Sequence, residues 1–127
     1  MTIREFAEQY YLHDSSIEKI EYARAAARLT LTISFCYWMQ LWYVKGDQPE
    51  DGLIRVTFDG VSRFEYDDYA ADIIFGELDN EILDIALDET GTLILGIQEV
   101  LDWHEWRTVF YQLKINAANV EIEALSD

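Results

Sequence analysis

The chain has 127 residues and a formal net charge of -16 at pH 7, with 25 acidic residues against 9 Lys and Arg. Half of the residues are hydrophobic and 14% are aromatic, a composition that excludes a disordered chain and predicts one globular domain over residues 1–127. The negative charge repels phosphate backbones, which argues against nucleic-acid binding. One cysteine, Cys36, excludes an internal disulfide framework.

The N-terminal and apolar segments bear on cellular location. The opening MTIREFAEQYY contains Arg4, Glu5 and Glu8 and no apolar stretch before a cleavage site, so we expect no signal peptide. The longest apolar segment, 29–44, is interrupted by polar residues and is shorter than the about 20 residues that span a bilayer. Because the lone cysteine lies in this apolar segment, it is typical of a buried thiol in a reducing compartment. We therefore expect a cytoplasmic protein without membrane contact.

A helix is predicted over the first dozen residues. Apolar residues recur there at the three-and-four spacing of one helical stripe: Ile3, Phe6, Ala7, Tyr10 and Tyr11. Thr2 precedes the stripe and Glu5 follows three residues later, which is the spacing of a capping box.

The next segment, YLHDSS, groups the residue types of a catalytic triad. A nucleophile needs a base within hydrogen-bond reach and a third group that orients the base, and His13, Asp14 and Ser15 or Ser16 supply all three types. Neighbours in sequence usually point in different directions, however. The favoured interpretation is a turn between the helix and the first strand, where Asp14 or Ser15 accepts backbone N–H bonds.

After residue 15 the hydrophobic period changes to two, the pattern of strands with one buried face. The pattern recurs in RLTLTISF, LIRVTFD, EILDIALD, TLILGIQ, TVFYQLKI and NVEIEAL, separated by turn residues. In EILDIALD it predicts that Leu83, Ile85 and Leu87 face the core. The predicted fold is mainly β, at the margin of α+β: an antiparallel meander of seven to nine strands that forms a sandwich or an open barrel.

Two segments break this alternation. CYWMQLWYV, residues 36–44, is apolar at nearly every position, which predicts either a central strand covered on both sides or a strand with an exposed aromatic patch. YDDYAADIIFGELDN, residues 66–80, predicts a short helix or an irregular crossover near 67–76.

The charge distribution indicates a candidate binding face. Thirteen acidic residues and no Lys or Arg lie between Phe64 and Trp106. Aromatic residues interleave with these acids, and binding hot spots favour aromatic anchors inside a polar rim. The candidate partner-binding residues are Tyr66, Asp67, Asp68, Tyr69, Asp72, Trp103 and Trp106. A basic protein partner fits this face, although acidity that only maintains solubility explains the same pattern. No calcium-loop motif is met, and we expect no cofactor.

Two alternatives remain open from the residues alone. In LDWHEW, His104 lies between two acids and two tryptophans, and a small hydrolase or metal-dependent enzyme would bring His13, Asp14 and His104 into one pocket. The favoured interpretation of LDWHEW is a loop whose tryptophans close one end of the core, because no zinc-site spacing is present. The other alternative is a structural homodimer that associates through the apolar segment YWMQLWYV.

Two short motifs carry a resemblance to a known family. The first comprises Leu12, His13, Asp14, Ser15 and Ile17, and the second comprises Phe58, Gly60, Val61 and Phe64. Together with the alternating strands, these motifs resemble the immunity proteins of bacterial polymorphic toxin systems, notably the type called immunity protein 50. The resemblance implies a cytosolic binding protein that neutralises a toxin, and it implies no catalytic role for these positions.

Overall fold

Eight strands and two short helices form the fold. The computed structural model describes residues 1–67, 70–74, 80–102, 104, 105 and 107–125, without the side chains of 72, 73, 101 and 102. The helices are α1 (Ile3–Gln9) and α2 (Ala71–Ile74), and 3-10 turns span Arg24–Ala26 and Tyr37–Met39. The strands are β1 (Ser16–Ala23), β2 (Arg28–Cys36), β3 (Asp51–Asp59), β4 (Arg63–Tyr66), β5 (Asn80–Leu87), β6 (Leu93–Asp102), β7 (Arg107–Asn116) and β8 (Asn119–Ala124).

All eight strands belong to one open antiparallel sheet in the order β4-β7-β6-β5-β1-β2-β3-β8. Two meanders, β1-β2-β3 and β5-β6-β7, are joined where Ser16 and Ile17 pair with Glu81 and Asn80. The prediction of a mainly β, antiparallel fold with one N-terminal helix is thus confirmed. Of the two possibilities predicted near 67–76, a short helix or an irregular crossover, the described residues Ala71–Ile74 form the short helix α2. None of the described helices is long and apolar enough to cross a bilayer.

The two edge strands begin at a shared corner. Between β3 and β4 the chain turns at Gly60, whose φ of 64° favours glycine, and Ala118 between β7 and β8 lies against it. The Ala118 N–H donates to the Asp59 carbonyl at 2.9 Å, and the Ser62 N–H donates to the Asn116 carbonyl at 3.0 Å. As a result, β3 pairs with β8 before the corner and β4 pairs with β7 after it.

One face of the sheet carries the hydrophobic core, as the period-two pattern predicts. The buried side chains alternate along the strands and include Leu29, Leu31, Ile33, Phe35, Ile54, Val56, Phe58, Leu93, Leu95 and Ile97. Helix α1 adds Ile3 and Phe6, and the Phe6 ring meets the Phe58 ring edge-on with 5.9 Å between centroids. Each such side chain contributes roughly 1.5–3 kcal/mol by leaving water.

The start of α1 matches its prediction. The Thr2 hydroxyl accepts the Glu5 N–H at 3.0 Å, and the Glu5 carboxylate accepts the Thr2 N–H at 2.9 Å, which completes the capping box. These bonds lower the pKa of Glu5. The helix ends at Gln9, so Tyr11 lies beyond it and its side chain is exposed rather than part of a buried stripe.

The aromatic segment 36–44 differs from its prediction. It is not a strand: β2 ends at Cys36, Tyr37–Met39 form a single 3-10 turn, and the chain continues as a loop. Exposed aromatic and aliphatic side chains are nevertheless present on this loop, so the predicted aromatic patch exists without the predicted strand.

Candidate functional site

The segment YLHDSS is a structural turn. Asp14 has a φ of 67°, its N–H donates to the Ile82 carbonyl at 3.0 Å, and the Ile82 N–H returns a 2.8 Å bond to the Ser15 carbonyl. The buried Ser15 hydroxyl accepts the Cys36 N–H at 3.2 Å. The His13 Nδ1 lies 3.2 Å from the Asp14 carboxylate. A nucleophilic role for Ser15 has no support in this geometry, and the turn interpretation fits it.

His104 lies at a different place in the sheet. The His13–Asp14 turn is bonded to Ile82, which pairs with Ile97 of β6. β6 then continues to Asp102, about 17 Å further at the usual rise per strand residue. His104 follows that end and is exposed, so His13 and His104 do not share one hydrogen-bonded site. Among the described residues, no three His, Cys, Asp or Glu side chains are grouped to hold a metal ion.

Cys36 is also poorly placed for nucleophilic chemistry. Burial raises the pKa of its thiol, and the nearby Asp51 acts in the same direction. The thiol donates to the Asp14 carbonyl at 3.5 Å. A reactive cysteine needs an electropositive setting that favours the thiolate. Cys36 lies instead near Asp51, whose negative charge disfavours the thiolate.

Only part of the predicted acidic and aromatic face falls on described residues. Asp68, Tyr69, Trp103 and Trp106 lie outside them, and Asp72 is described only as backbone within α2. Tyr66 is half-buried, with its ring 5.4 Å from the Phe64 ring and packed against the core. Asp67 is exposed directly after β4.

Asp67 borders a cleft on the outer face of the sheet, which we call the acidic cleft. Its walls are Asp67, Leu83, Asp84, Gly96, Phe110 and Gln112, and its volume is about 260 Å³. Phe110 is 59% exposed, an unusual state for a phenylalanine on a strand. The acidic cleft therefore combines two exposed carboxylates with an exposed aromatic ring.

A β-bulge creates the acidic cleft. Pairing of β5 with β6 shifts between Ile82 and Asp84, so Leu83 lines the outer cleft and Ile82 takes the fully buried position. The prediction that Leu83 faces the core is therefore wrong, because the extra residue reverses the alternation. Ile85 and Leu87 do pack against the core, as predicted.

Gly96 allows Asp84 to lie flat across the neighbouring strand. The Gly96 N–H donates to the Asp84 Oδ1 at 3.1 Å, and that oxygen occupies the space where a side chain at position 96 would begin. No ion pair within 4.0 Å involves Asp67 or Asp84 among the described residues. The cationic Lys114 lines a smaller adjoining hollow together with Asp67 and Glu65.

Tyr111 supplies no acid–base group to the acidic cleft. This residue borders the cleft, but its side chain belongs to the hydrophobic core, and burial followed by the charge of Glu99 raises the pKa of its hydroxyl. Such a phenol neither gives nor takes a proton near neutral pH. The arrangement can bind a cationic group, and it provides no acid–base pair.

A second exposed surface, which we call the aromatic groove, lies between α1 and the loop after β2. It is lined by Ala7, Glu8, Tyr11, Met39, Leu41 and Trp42 and has a volume of about 760 Å³. Seven large apolar side chains are exposed among the described residues, and five of them belong to Tyr11 and this loop: Tyr11, Trp38, Leu41, Trp42 and Val44. This is the main exposed apolar surface of the described protein.

Gln40 fixes the aromatic groove. It is 6% exposed, and its amide pairs with both backbone groups of Tyr11: it accepts the N–H at 2.8 Å and donates to the carbonyl at 2.7 Å. The same amide nitrogen donates to the Cys36 carbonyl at 3.0 Å. The Trp42 indole N–H donates to the Gln9 carbonyl at 2.8 Å, at the end of α1. The loop is thereby attached to the last residue of α1 and to Tyr11 just beyond it.

The sequence alone predicted neither the contact of Asp84 with Gly96 in the acidic cleft nor the bonds of Gln40 to Tyr11 in the aromatic groove. Asp84 and Gly96 become neighbours only through strand pairing, and Gln40 reaches Tyr11 across 29 residues. The sequence does indicate the exposure of Phe110, because this residue occupies an outward position between Val109 and Tyr111 in an alternating strand.

Comparison with known proteins adds no relative. No family model, no curated protein and no solved structure matches the chain. The function must therefore be argued from the two surfaces and from the charge.

Proposed function

We propose that the protein is a cytoplasmic protein-binding module that neutralises a basic partner, in the manner of an immunity protein. The observation that carries this proposal is the acidic cleft, where Asp67 and Asp84 flank the exposed ring of Phe110. An exposed aromatic side chain supplies contact area, and the two carboxylates select a Lys- or Arg-rich surface.

The overall charge supports the same partner. At a net charge of -16, the protein attracts cationic proteins over distances of about one Debye length, and this attraction accelerates their encounter. Arg63 is already occupied by Glu65 at 2.8 Å, so it does not neutralise the acids of the cleft. A toxin that acts on nucleic acid would carry the matching positive charge.

The experiment is capture from the lysate of the native host. Tagged wild type is compared with Asp67→Asn/Asp84→Asn, in which the amide oxygen introduced at position 84 can still accept the Gly96 N–H. The matched control is Glu18→Gln/Glu121→Gln, which removes the same charge from exposed positions on β1 and β8. Bound proteins are washed at low and at high salt and are then identified by mass spectrometry.

We expect wild type and the control to retain a basic protein at low salt and to release it at high salt. The Asp67→Asn/Asp84→Asn variant should retain much less of it at low salt. Equal retention by both double variants, or capture of no basic protein by wild type, would contradict the proposal.

A further inference from the structure

We propose that the aromatic groove binds the apolar face of a basic amphipathic helix from a partner protein. This inference goes beyond the proposed function, because it concerns a different surface and would hold even if the acidic cleft bound nothing. Three properties of the groove carry it: exposure, rigidity and charge.

The exposure is unusual for side chains of this kind. Leu41 is fully exposed, and Trp42 remains 38% exposed although its ring lies 5.7 Å from the Tyr10 ring. Contiguous apolar surface in contact with water is unfavourable, and in soluble proteins a large patch of it marks an interaction site. Helices that bind in grooves use anchor side chains three or four residues apart on one face.

The rigidity shows that the fold maintains this surface. The buried Gln40 amide holds the loop through its bonds to Tyr11 and Cys36, and the Trp42 indole holds it to Gln9. Four hydrogen bonds therefore order a loop that has no place in the sheet. A surface that is already ordered loses less conformational entropy when a partner binds, which favours affinity.

The charge selects the chemistry of the occupant. Glu8 lines the groove and makes no ion pair among the described residues, and residues 37–51 contain three acids against one lysine. A second copy of the chain would bring another net charge of -16 to the same contact, which disfavours self-association. A helix with Lys or Arg beside its apolar face complements both the apolar side chains of the groove and the acidic residues near it.

Synthetic peptides provide a direct test. The first probe is a labelled Leu/Lys amphipathic helix of about five turns. The second has the same composition in scrambled order, and the third has Glu in place of Lys. Binding is measured by fluorescence anisotropy for wild type and for Leu41→Ser, Glu8→Gln, Phe110→Ser and Glu18→Gln. Glu18→Gln is the charge control away from both surfaces, and Phe110→Ser tests the acidic cleft as a competing site for a Lys-rich peptide.

We expect wild type to bind the Leu/Lys helix best. Leu41→Ser should weaken binding about tenfold, the effect of losing one buried leucine anchor. Glu8→Gln should weaken it about twofold to threefold at low salt only. Glu18→Gln should stay within about twofold of wild type, and Phe110→Ser should weaken binding less than Leu41→Ser does. The Asp67→Asn/Asp84→Asn variant should still bind the Leu/Lys helix better than the scrambled peptide, because its groove is unchanged, and this preference separates the inference from the proposed function.

Several results would overturn the inference. Equal affinity for the scrambled peptide would mean that charge alone drives binding, and equal affinity for the Glu peptide would remove the charge argument. Equal losses for Leu41→Ser and Phe110→Ser would place the contact elsewhere. Binding to phosphatidylcholine vesicles but not to the peptide would identify a membrane-contact loop. Dimerisation that Leu41→Ser abolishes would identify a second copy as the occupant.

Discussion

The aromatic groove and the acidic cleft are both exposed, but they are ordered in different ways. The groove lies on a loop, where no strand neighbour exists, and the Gln40 amide pairs with Tyr11 as a strand backbone would. The cleft lies on paired strands, where a bulge at Leu83 and the absence of a side chain at Gly96 set the position of Asp84. The groove is ordered by a few side-chain hydrogen bonds, whereas the cleft is ordered by the backbone hydrogen bonds between paired strands.

This difference predicts how the two surfaces respond to mutation. Removing one buried amide should disorder the groove as a whole. Changing one residue of the cleft should move a single carboxylate and leave the strands intact.

Gln40→Met should have the largest effect. The substitution keeps the size of the side chain and leaves the Tyr11 N–H, the Tyr11 carbonyl and the Cys36 carbonyl without their present partner. We expect the free energy of unfolding to fall by about 3 kcal/mol. Urea titration followed by far-UV circular dichroism measures this change. Gln112→Met, at an exposed position of the cleft, is the control and should change stability by less than about 0.5 kcal/mol. A similar, small loss for both variants would mean that Gln40 does not hold the groove.

Gly96→Ala should have an intermediate effect. The new methyl group would occupy the place of the Asp84 Oδ1, so the bond from the Gly96 N–H must break. A double-mutant cycle with Asp84→Ala isolates this contact, and we expect a coupling of about 1 kcal/mol. Gly91→Ala is not a suitable control, because the φ of 81° at Gly91 strains any side chain there. If the two changes were additive, Asp84 would not depend on the missing side chain at position 96.

Asp88 should give the smallest effect, which depends on pH. The Thr90 hydroxyl, followed by the N–H groups of Thr92 and Thr90, lowers the pKa of Asp88. Because the folded-state pKa is lowered, the contribution of Asp88 is complete above the ordinary carboxyl pKa and is lost as pH falls through the lowered value. Asp88→Asn should therefore be less stable than wild type at pH 6, and the gap should narrow on acidification. Urea midpoints between about pH 3 and pH 6 test this expectation. A gap that is constant with pH would show that the charge of Asp88 does not stabilise the turn.

Much of the fold follows from local sequence. Alternation in RLTLTISF and TLILGIQ is enough to assign β2 and β6, because one buried face imposes a period of two. The Thr2–Glu5 capping box is also local, since its two hydrogen bonds join residues three apart, and the turn at Asp14 is closed by the 3.0 Å bond from the Ser15 N–H to the Leu12 carbonyl. Predictions succeeded where the stabilising partner lies a few residues away.

The remaining features depend on distant partners. The run CYWMQLWYV favours a strand by composition, yet the chain leaves the sheet there because Gln40 bonds to Tyr11 and Trp42 bonds to Gln9. The bulge at Leu83 depends on the pairing of β5 with β6, which no local pattern reveals. Similarly, the density of acids between Phe64 and Trp106 does not identify Asp67 and Asp84 as the pair that borders one cleft.

The most direct test of the central claim is the association rate of the captured basic protein, measured by stopped flow over a series of salt concentrations. We expect Asp67→Asn/Asp84→Asn to lower the association rate at low salt by about threefold or more and to flatten its salt dependence. The Glu18→Gln/Glu121→Gln control should change the association rate much less, although the two double variants have the same net charge. Equal rates and equal salt slopes for the two double variants would contradict the claim that the acidic cleft directs binding.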